Sequence, residues 1–405
     1  MRRGMLSDLF VGVVAKRLTL VETITPKSNQ HEFQGTRPLK QLLGEDDRRG
    51  IPTRFIWITG EQEALAEDGF MSWSNVRKGK PRAAEYHLYY SSNAVTELMQ
   101  PGDMLFLALR RDGAILVIIT PSGTTQNQLI WLFALENQSE FSFTFQEVDG
   151  AHNAELDFAA RYILDEIGIE PEEPEADRLD VLIERFGLEF PKTLAFSELA
   201  RLSLPEVSAL DDPDRALIEW MDREEQLFRR LERRIVAERI GSGFRSVDGA
   251  DVDGFLKFSL GVQNRRKVRA GLALENHLEA VFKAWGVRYS RGAETENRNK
   301  PDFLLPGQRE YRDPAFPAAR LTMLGAKSTL KDRWRQVLSE AEKIESKHLL
   351  TLEPGISANQ TDEMRAKRLQ LVLPARLHET YQPAQRAWLM NVASFLELVI
   401  ARQAG

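Results

Sequence analysis

Three runs between Asn264 and Glu345 decide how this chain is read: NRRKVRAGLALENHLEAVF (264–282), NKPDFLLP (299–306) and MLGAKSTLKDRWRQVLSEAEKIE (323–345). In the first, Leu274, Leu278, Val281, Phe282 and Trp285 recur at helical spacing, and Glu275 lies beside that apolar stripe. In the second, Asp302 follows Pro301 and opens the apolar strand Phe303-Leu304-Leu305. In the third, the strand 321–326 ends on Lys327, and a helix with Trp334, Val337, Leu338, Ala341 and Ile344 on one face carries Glu340. A carboxylate turned toward the interior needs a cation or a basic partner. Any one of these residues has a plain structural explanation, since a buried glutamate often pairs with an arginine. Together they place carboxylates and one lysine at the ends or inner faces of adjacent elements. Carboxylates that can hold a hard cation, with one lysine beside them, are the kit for metal-assisted phosphodiester hydrolysis.

The bounds of the chain agree with such an enzyme. Its 405 residues suffice for two or three domains with sizeable cores. No cysteine occurs, which excludes disulfides, thiol nucleophiles and cysteine-based zinc sites. The six histidines are scattered without an HxxxH pair, so a histidine-rich metal site is not expected. No apolar run has membrane length, and MRRGMLSDLFVGVVAKR reads as a first strand or helix, so the expected location is cytoplasmic. The net charge of −6 argues against DNA binding until it is divided. The 23 acidic and 12 basic residues between Ala151 and Ile240 give that segment −11, leaving +5 for the rest. Residues 261–300 alone hold 9 basic against 4 acidic side chains. Acid confined to one segment leaves basic faces free for phosphates.

Residues 1–150 read as mostly β, a barrel or sandwich. FIWIT (55–59), EYHLYY (85–90), DMLFLALRR (103–111), AILVIIT (114–120) and LIWLFAL (129–135) are expected strands, separated by turn signals such as Pro101-Gly102 and Asp112-Gly113. Two polar stretches interrupt them, TPKSNQHEFQGTR (25–37) and WSNVRKGKPRAAEY (73–86). Asn29, Gln30 and His31 are candidates for base edges, and Arg77, Lys78, Lys80 and Arg82 for phosphates. Residues 151–185 form an acidic linker of helical composition, whose best candidate for an exposed, extended connector is IGIEPEEPEADRLD (167–180). From residue 186 to 405 a third region begins with a helical segment. Asp211–Asp214 offers an N-cap there and Pro213 an early helical position, and Leu217, Ile218, Met221, Leu227, Phe228, Leu231 and Ile235 form a packing or dimer-contact face.

Two resemblances sharpen this. SNQHEFQGTR, WSNVR and EYHLYY make most of residues 20–135 similar to the B3-like DNA-recognition domain of several restriction endonucleases, whose two loop-strand arms grip the major groove. The runs NRRKVRAG, LENHLE, NKPDFLLP, KDRWRQVL and EAEKI make residues 211–398 resemble the catalytic domain of EcoRII-like type II restriction endonucleases, a PD-(D/E)XK nuclease fold. The resemblance implies Asp302 and Glu340 as Mg²⁺ ligands, Lys327 in the catalytic position, Glu275 as an additional acidic member and Tyr311 near the active site. It implies in-line hydrolysis leaving a 5′ phosphate. It also implies a homodimer through the C-terminal domain on palindromic double-stranded DNA, and a companion DNA methyltransferase. By the same resemblance, DNA bound to the N-terminal domain acts as an effector that relieves blockage of the nuclease cleft. Gly325 departs from the pattern, since a β-branched residue is usual in that strand.

Lys331-Asp332-Arg333 is the expected base reader. Arginine reaches O6 and N7 of guanine and aspartate accepts from N4 of cytosine, which suits a C·G step. By resemblance the target ends in CC…GG. Arg265, Arg266, Lys267 and Arg269 are assigned to phosphates or a dimer surface. Two other readings stay open: an inert sequence-specific DNA-binding regulator, and a nuclease directed at modified DNA.

Overall fold

The computed structural model describes residues 5–23, 31–59, 64–135, 141–148, 156–171, 176–246, 249–330 and 333–404. Two compact units emerge, Met1–Glu172 with Pro354–Ser357, and Glu173–Glu353 with Ala358–Gly405. Among the described residues no helix is long and apolar enough to cross a membrane.

The first unit is built on eight strands, β1 (Phe10–Arg17), β2 (Glu32–Gln34), β3 (Arg48–Trp57), β4 (Leu65–Asn75), β5 (Tyr86–Tyr90), β6 (Met104–Arg110), β7 (Ile115–Thr120) and β8 (Thr144–Glu147). They form one sheet in the order β2-β5-β4-β3-β7-β6-β1-β8. Every pairing is antiparallel except β3 with β7. Strands with a side-chain period of two split their apolar residues between the faces. Leu105, Leu107, Leu109, Ile115, Val117 and Ile119 pack into one core with Trp73 and Leu88. Met104, Phe106, Ala108, Leu116 and Ile118 pack into a second core on the other side.

That second face explains a departure from expectation. LIWLFAL (129–135) is not a strand; its first four residues complete the helix Thr124–Leu132. Leu129, Leu132 and Phe133 then fall at helical spacing and cover the sheet, all buried. A seven-residue apolar run suits either element, and the polar Thr124–Gln128 turn before it supplies the helix start. The acidic segment 151–185, read as helical with its extended connector at 167–180, carries two packed helices among the described residues, the second of which starts inside that connector. Phe158–Glu166 buries Ile163 and Leu164 against the β-rich unit, and Ala176–Ile183 buries Leu179 and Ile183 in the helical core of the second. Its apolar residues outweigh its acidity wherever they recur at helical spacing.

The second unit begins with helices Thr193–Leu202, Pro213–Gly241 and Val252–Ala284, with a short ribbon of β9 (Arg245–Ser246) and β10 (Gly249–Ala250) between the last two. The Asp212 carboxylate accepts from Arg215 N at 2.9 Å, so the cap and Pro213 stand where the sequence puts them. Asp214, the second residue of that helix, accepts from the backbone N–H groups of Ala375, Val392 and Ala393 at 2.9–3.0 Å and so caps the C-terminal helix Val392–Ala404. A mixed sheet follows: β11 (Ser290–Arg291), β12 (Phe303–Leu305), β13 (Thr322–Lys327), β14 (Lys347–Thr351) and β15 (Leu369–Val372), hydrogen-bonded in that order. The first three strands are antiparallel and the last three parallel.

Candidate active site

Asp302 and Lys327 meet because β12 and β13 pair antiparallel, with Phe303 opposite Leu324. One step beyond that pair, Asp302 lies over the end of β13. Its Oδ2 accepts from Ala326 N at 2.6 Å and from Lys327 Nζ at 2.7 Å. Both side chains stay partly open to solvent. Gly325 between them now has a reason. A Cβ there would stand 2.9 Å from Val337 Cγ2, so the glycine is what lets the Trp334–Val337 turn pack onto β13.

That turn holds Glu340, though not in the helix expected. The helix covers only Trp334–Val337. Lys347 Nζ donates to Leu338 O at 2.9 Å and Asn299 Nδ2 to Ser339 O at 2.8 Å, satisfying carbonyls that a longer helix would have used. The Glu342 N–H goes to Glu296 at 3.2 Å, and Ala341 takes a left-handed φ of 51°. Trp334, Val337, Ala341 and Ile344 are still buried, so the apolar stripe identified the inward face and missed the chain's path.

Glu340 is turned inward, and its Oε2 is buried without a hydrogen-bond partner among the described residues. Burial pushes its carboxyl up to about 7; the Asp302 charge adds to this, while Lys327 and Lys347 oppose it. Glu275, on the Val252–Ala284 helix, also titrates above the ordinary carboxylate range, first from burial and then from Asp302, against Arg291 and Lys327. The fields of Asp302 and Lys327 therefore reach both glutamates, and the four groups form one electrostatic cluster. Arg291 holds Glu275 and Glu279 at 2.8 Å each and donates to Asn276 Oδ1 at 2.9 Å. Nothing in the spacing of the sequence singled Arg291 out.

Among the described residues no three His, Asp or Glu side chains converge as a ready-made metal cage. The donor set nevertheless fits a hard cation. Asp302 and Glu340 offer carboxylate oxygens, one of them an orphaned buried Oε2. Mg²⁺ is ordinarily held by one or two carboxylates, with water and phosphate completing its shell.

Tyr311 stands behind the site. Its hydroxyl donates to Glu296 at 2.5 Å and accepts from Lys343 N at 3.4 Å, and burial followed by Glu296 raises its pKa. It braces the segment carrying Glu340, and no hydrogen bond joins it to Asp302 or Lys327 among the described residues.

The expected DNA-binding residues are less concentrated. Lys331 and Asp332 lie outside the described residues. Arg333 is exposed and donates to the Thr329 hydroxyl, next to Leu330, whose N–H is held by buried Glu353. Arg265 sits over the Phe190 ring at 4.4 Å. Arg266 and Arg269 are drawn into ion pairs with the neighbouring helix, Arg266 with Glu232 and Arg269 with Glu224 and Glu225. Those pairings account for both side chains as links between helices. In the β-rich unit, Asn29 and Gln30 lie outside the described residues. His31 meets the Tyr90 ring edge-on. Arg77 pairs with Glu85 and Lys78 with Asp47, while Lys80 and Arg82 project from the exposed β4–β5 turn. Trp73 and Tyr86, which bound that turn, belong to the core and stack at 5.0 Å.

Residues 228–396 match the family described as EcoRII C terminal. The type II restriction enzyme EcoRII of Escherichia coli is 41% identical over 217 residues, covering 53% of this chain and 52% of that relative. The match thus spans about half the length of the curated relative. A solved complex of the restriction endonuclease PspGI with substrate DNA aligns with a TM-score of 0.44 at 14% identity, covering 53% of this chain and 94% of that one. Metal-depleted Ecl18kI with uncleaved DNA aligns with a TM-score of 0.41 at 17% identity, covering 57% and 85%.

Proposed function

We propose that this chain, whose residues 228–396 carry the EcoRII C-terminal domain, is a type II restriction endonuclease that makes sequence-specific double-strand cuts in DNA. The observation that carries the reading is the 2.7 Å pair of Asp302 and Lys327 at adjoining strand ends, in the same electrostatic cluster as a Glu340 whose buried Oε2 has no hydrogen-bond partner among the described residues. The 41% identity to EcoRII over this half of the chain supports it. We read residues 186–405 as the nuclease and dimerisation domain with a restriction-endonuclease-like fold, and 1–150 as a B3-like DNA-recognition and effector domain. The intended target is a CC…GG palindrome cut by a homodimer, with a cognate methyltransferase protecting the host's own sites.

In this reading Asp302 and Glu340 hold Mg²⁺, which when bound polarises the scissile phosphate and acidifies a water. The protein's own part is positioning. The Ala326 N–H and Lys327 ammonium both hold the Asp302 carboxylate by Oδ2. Lys327, kept at the site by that pair, presents positive charge where the transition state gathers negative charge. Arg291 holds Glu275 at the edge of the cluster and keeps its charge from being wholly unpaired. The backbone turn at Ala341, braced by Tyr311, Glu296 and Lys347, keeps Glu340 facing inward.

Incubating the protein with unmethylated phage DNA, in Mg²⁺ and in EDTA, beside Lys327→Ala, tests this. Discrete Mg²⁺-dependent fragments lost in the variant are expected, and sequencing their ends gives the target. Binding without cutting, even with CC…GG oligonucleotides added as effector, identifies a DNA-binding regulator instead. Cutting confined to methylated DNA identifies a nuclease for modified sites.

A further inference from the structure

In the β-rich unit one histidine joins the two polar stretches that the sequence marks for DNA. His87, on β5, lies between β2 and β4, opposite Gln34 on one side and Ser74 on the other. Its Nδ1 is 2.9 Å from Glu32 Oε2, on β2 within the first stretch, and its Nε2 is 3.2 Å from Glu85 Oε1, within the second. The Nδ1 approach is short but poorly aligned, so that contact is an ion pair more than a directed hydrogen bond. Glu85 in turn pairs with Arg77, and Asn75 Oδ1 accepts from both Arg77 N and Glu85 N at 3.0 and 3.2 Å. The result is an alternating chain of charges, Glu32–His87–Glu85–Arg77, running across the bases of both stretches. Side-chain exposures of 16% for His87 and 15% for Glu32 shield its first link from solvent.

We propose that His87, as an imidazolium held between Glu32 and Glu85, is the positioning residue that sets the two stretches relative to each other for DNA binding. A neutral imidazole carries one proton and serves one carboxylate; two carboxylates at its two nitrogens call for both. The proposal rests on the reading of this unit as a DNA-recognition domain. The charged and titratable groups facing the ring are Glu32, Glu85 and, beyond Glu85, Arg77; Tyr89 stacks on it at 6.0 Å. Burial pulls the imidazole down, and the two carboxylates outweigh it, so it titrates above its ordinary 6.5. The sign follows. A raised pKa means the clasp is complete at and below the ordinary value and is lost as pH rises through the folded one. Losing it leaves two carboxylates less compensated beside the phosphate-facing arms, where like charge repels DNA.

Two measurements on the full-length protein in EDTA decide the matter. NMR of selectively labelled histidine should give His87 a pKa above 6.5 that falls in Glu32→Gln and in Glu85→Gln. Anisotropy with a labelled CC…GG duplex at constant ionic strength should show affinity falling about three- to tenfold between about pH 6 and about pH 8.5. In His87→Gln that slope should flatten at the weaker level. A His87 pKa at or below the ordinary value, or a slope unchanged in His87→Gln, overturns the proposal. A paired Lys80→Ala, Arg82→Ala variant separates the two claims. If it binds like the parent, the DNA-recognition reading of this unit fails; if it binds less while the pH slope ignores His87, only the clasp fails.

Discussion

Replacing Glu340 by glutamine should make the metal-free protein more stable above neutrality while abolishing cutting. Glu340 titrates at about 7 against an ordinary value of 4.5 because burial disfavours its charged form. A carboxyl whose folded pKa lies above its unfolded one works against the fold as pH rises. The cost begins near the unfolded value and is complete once pH exceeds the folded value. At about 1.4 kcal/mol per unit the shift corresponds to roughly 3 kcal/mol, which solvent on the open side of the carboxyl reduces to roughly 1–2 kcal/mol. Glutamine keeps the shape and discards the charge. In EDTA at about pH 8.5 the Glu340→Gln protein should therefore melt a few degrees above the parent, and at about pH 4.5 the two should coincide. Mg²⁺ should raise the melting temperature of the parent more than that of the variant, since a cation offsets the charge that only the parent carries. Thermal melts at both pH values, with and without Mg²⁺, test each arm. An equal or lower melting temperature for the variant at high pH would refute the claim that Glu340 is an unpaired, ionisable burden awaiting a cation.

Other outcomes follow from the same geometry. Gly325→Val places a side chain where Val337 Cγ2 stands 2.9 Å from the added Cβ; overpacking should cost about 1–3 kcal/mol in urea unfolding and displace Glu340, lowering kcat more than KM. Arg291→Met leaves Glu275 and Glu279 side by side without the guanidinium that bridges them at 2.8 Å. The loss should be about 1–3 kcal/mol at neutral pH and shrink as pH falls through the raised titration of Glu275, measured by denaturant titration at neutral and at acid pH.

How far these features could be read ahead of the coordinates depends on the range of the forces behind them. The strands of the β-rich unit follow from side chains alternating between two buried faces, a local period of two that Leu105 through Leu109 and Ile115 through Ile119 display openly. Asp302 and Lys327 were legible as positions for the same reason: one opens an apolar strand and the other closes one, and antiparallel pairing of the two strands brings those ends together. The cap at Asp212 is likewise local chemistry. Apolar spacing also told which sides of Trp334, Val337, Ala341 and Ile344 turn inward. It could not tell that the helix stops after one turn, because Lys347, Asn299 and Glu296, from other elements, take up the polar groups a helix would use. The run 129–135 has the same difficulty, since seven apolar residues fit strand or helix until a sheet face demands a cover. Arg266 and Arg269, assigned from the sequence to phosphates or a dimer surface, meet glutamates 34 to 45 positions earlier in the chain. Burial is decided by the pattern of a side chain's near neighbours. The partner of a charge is decided by which distant residues the fold brings within a few ångströms, and only tertiary structure holds that.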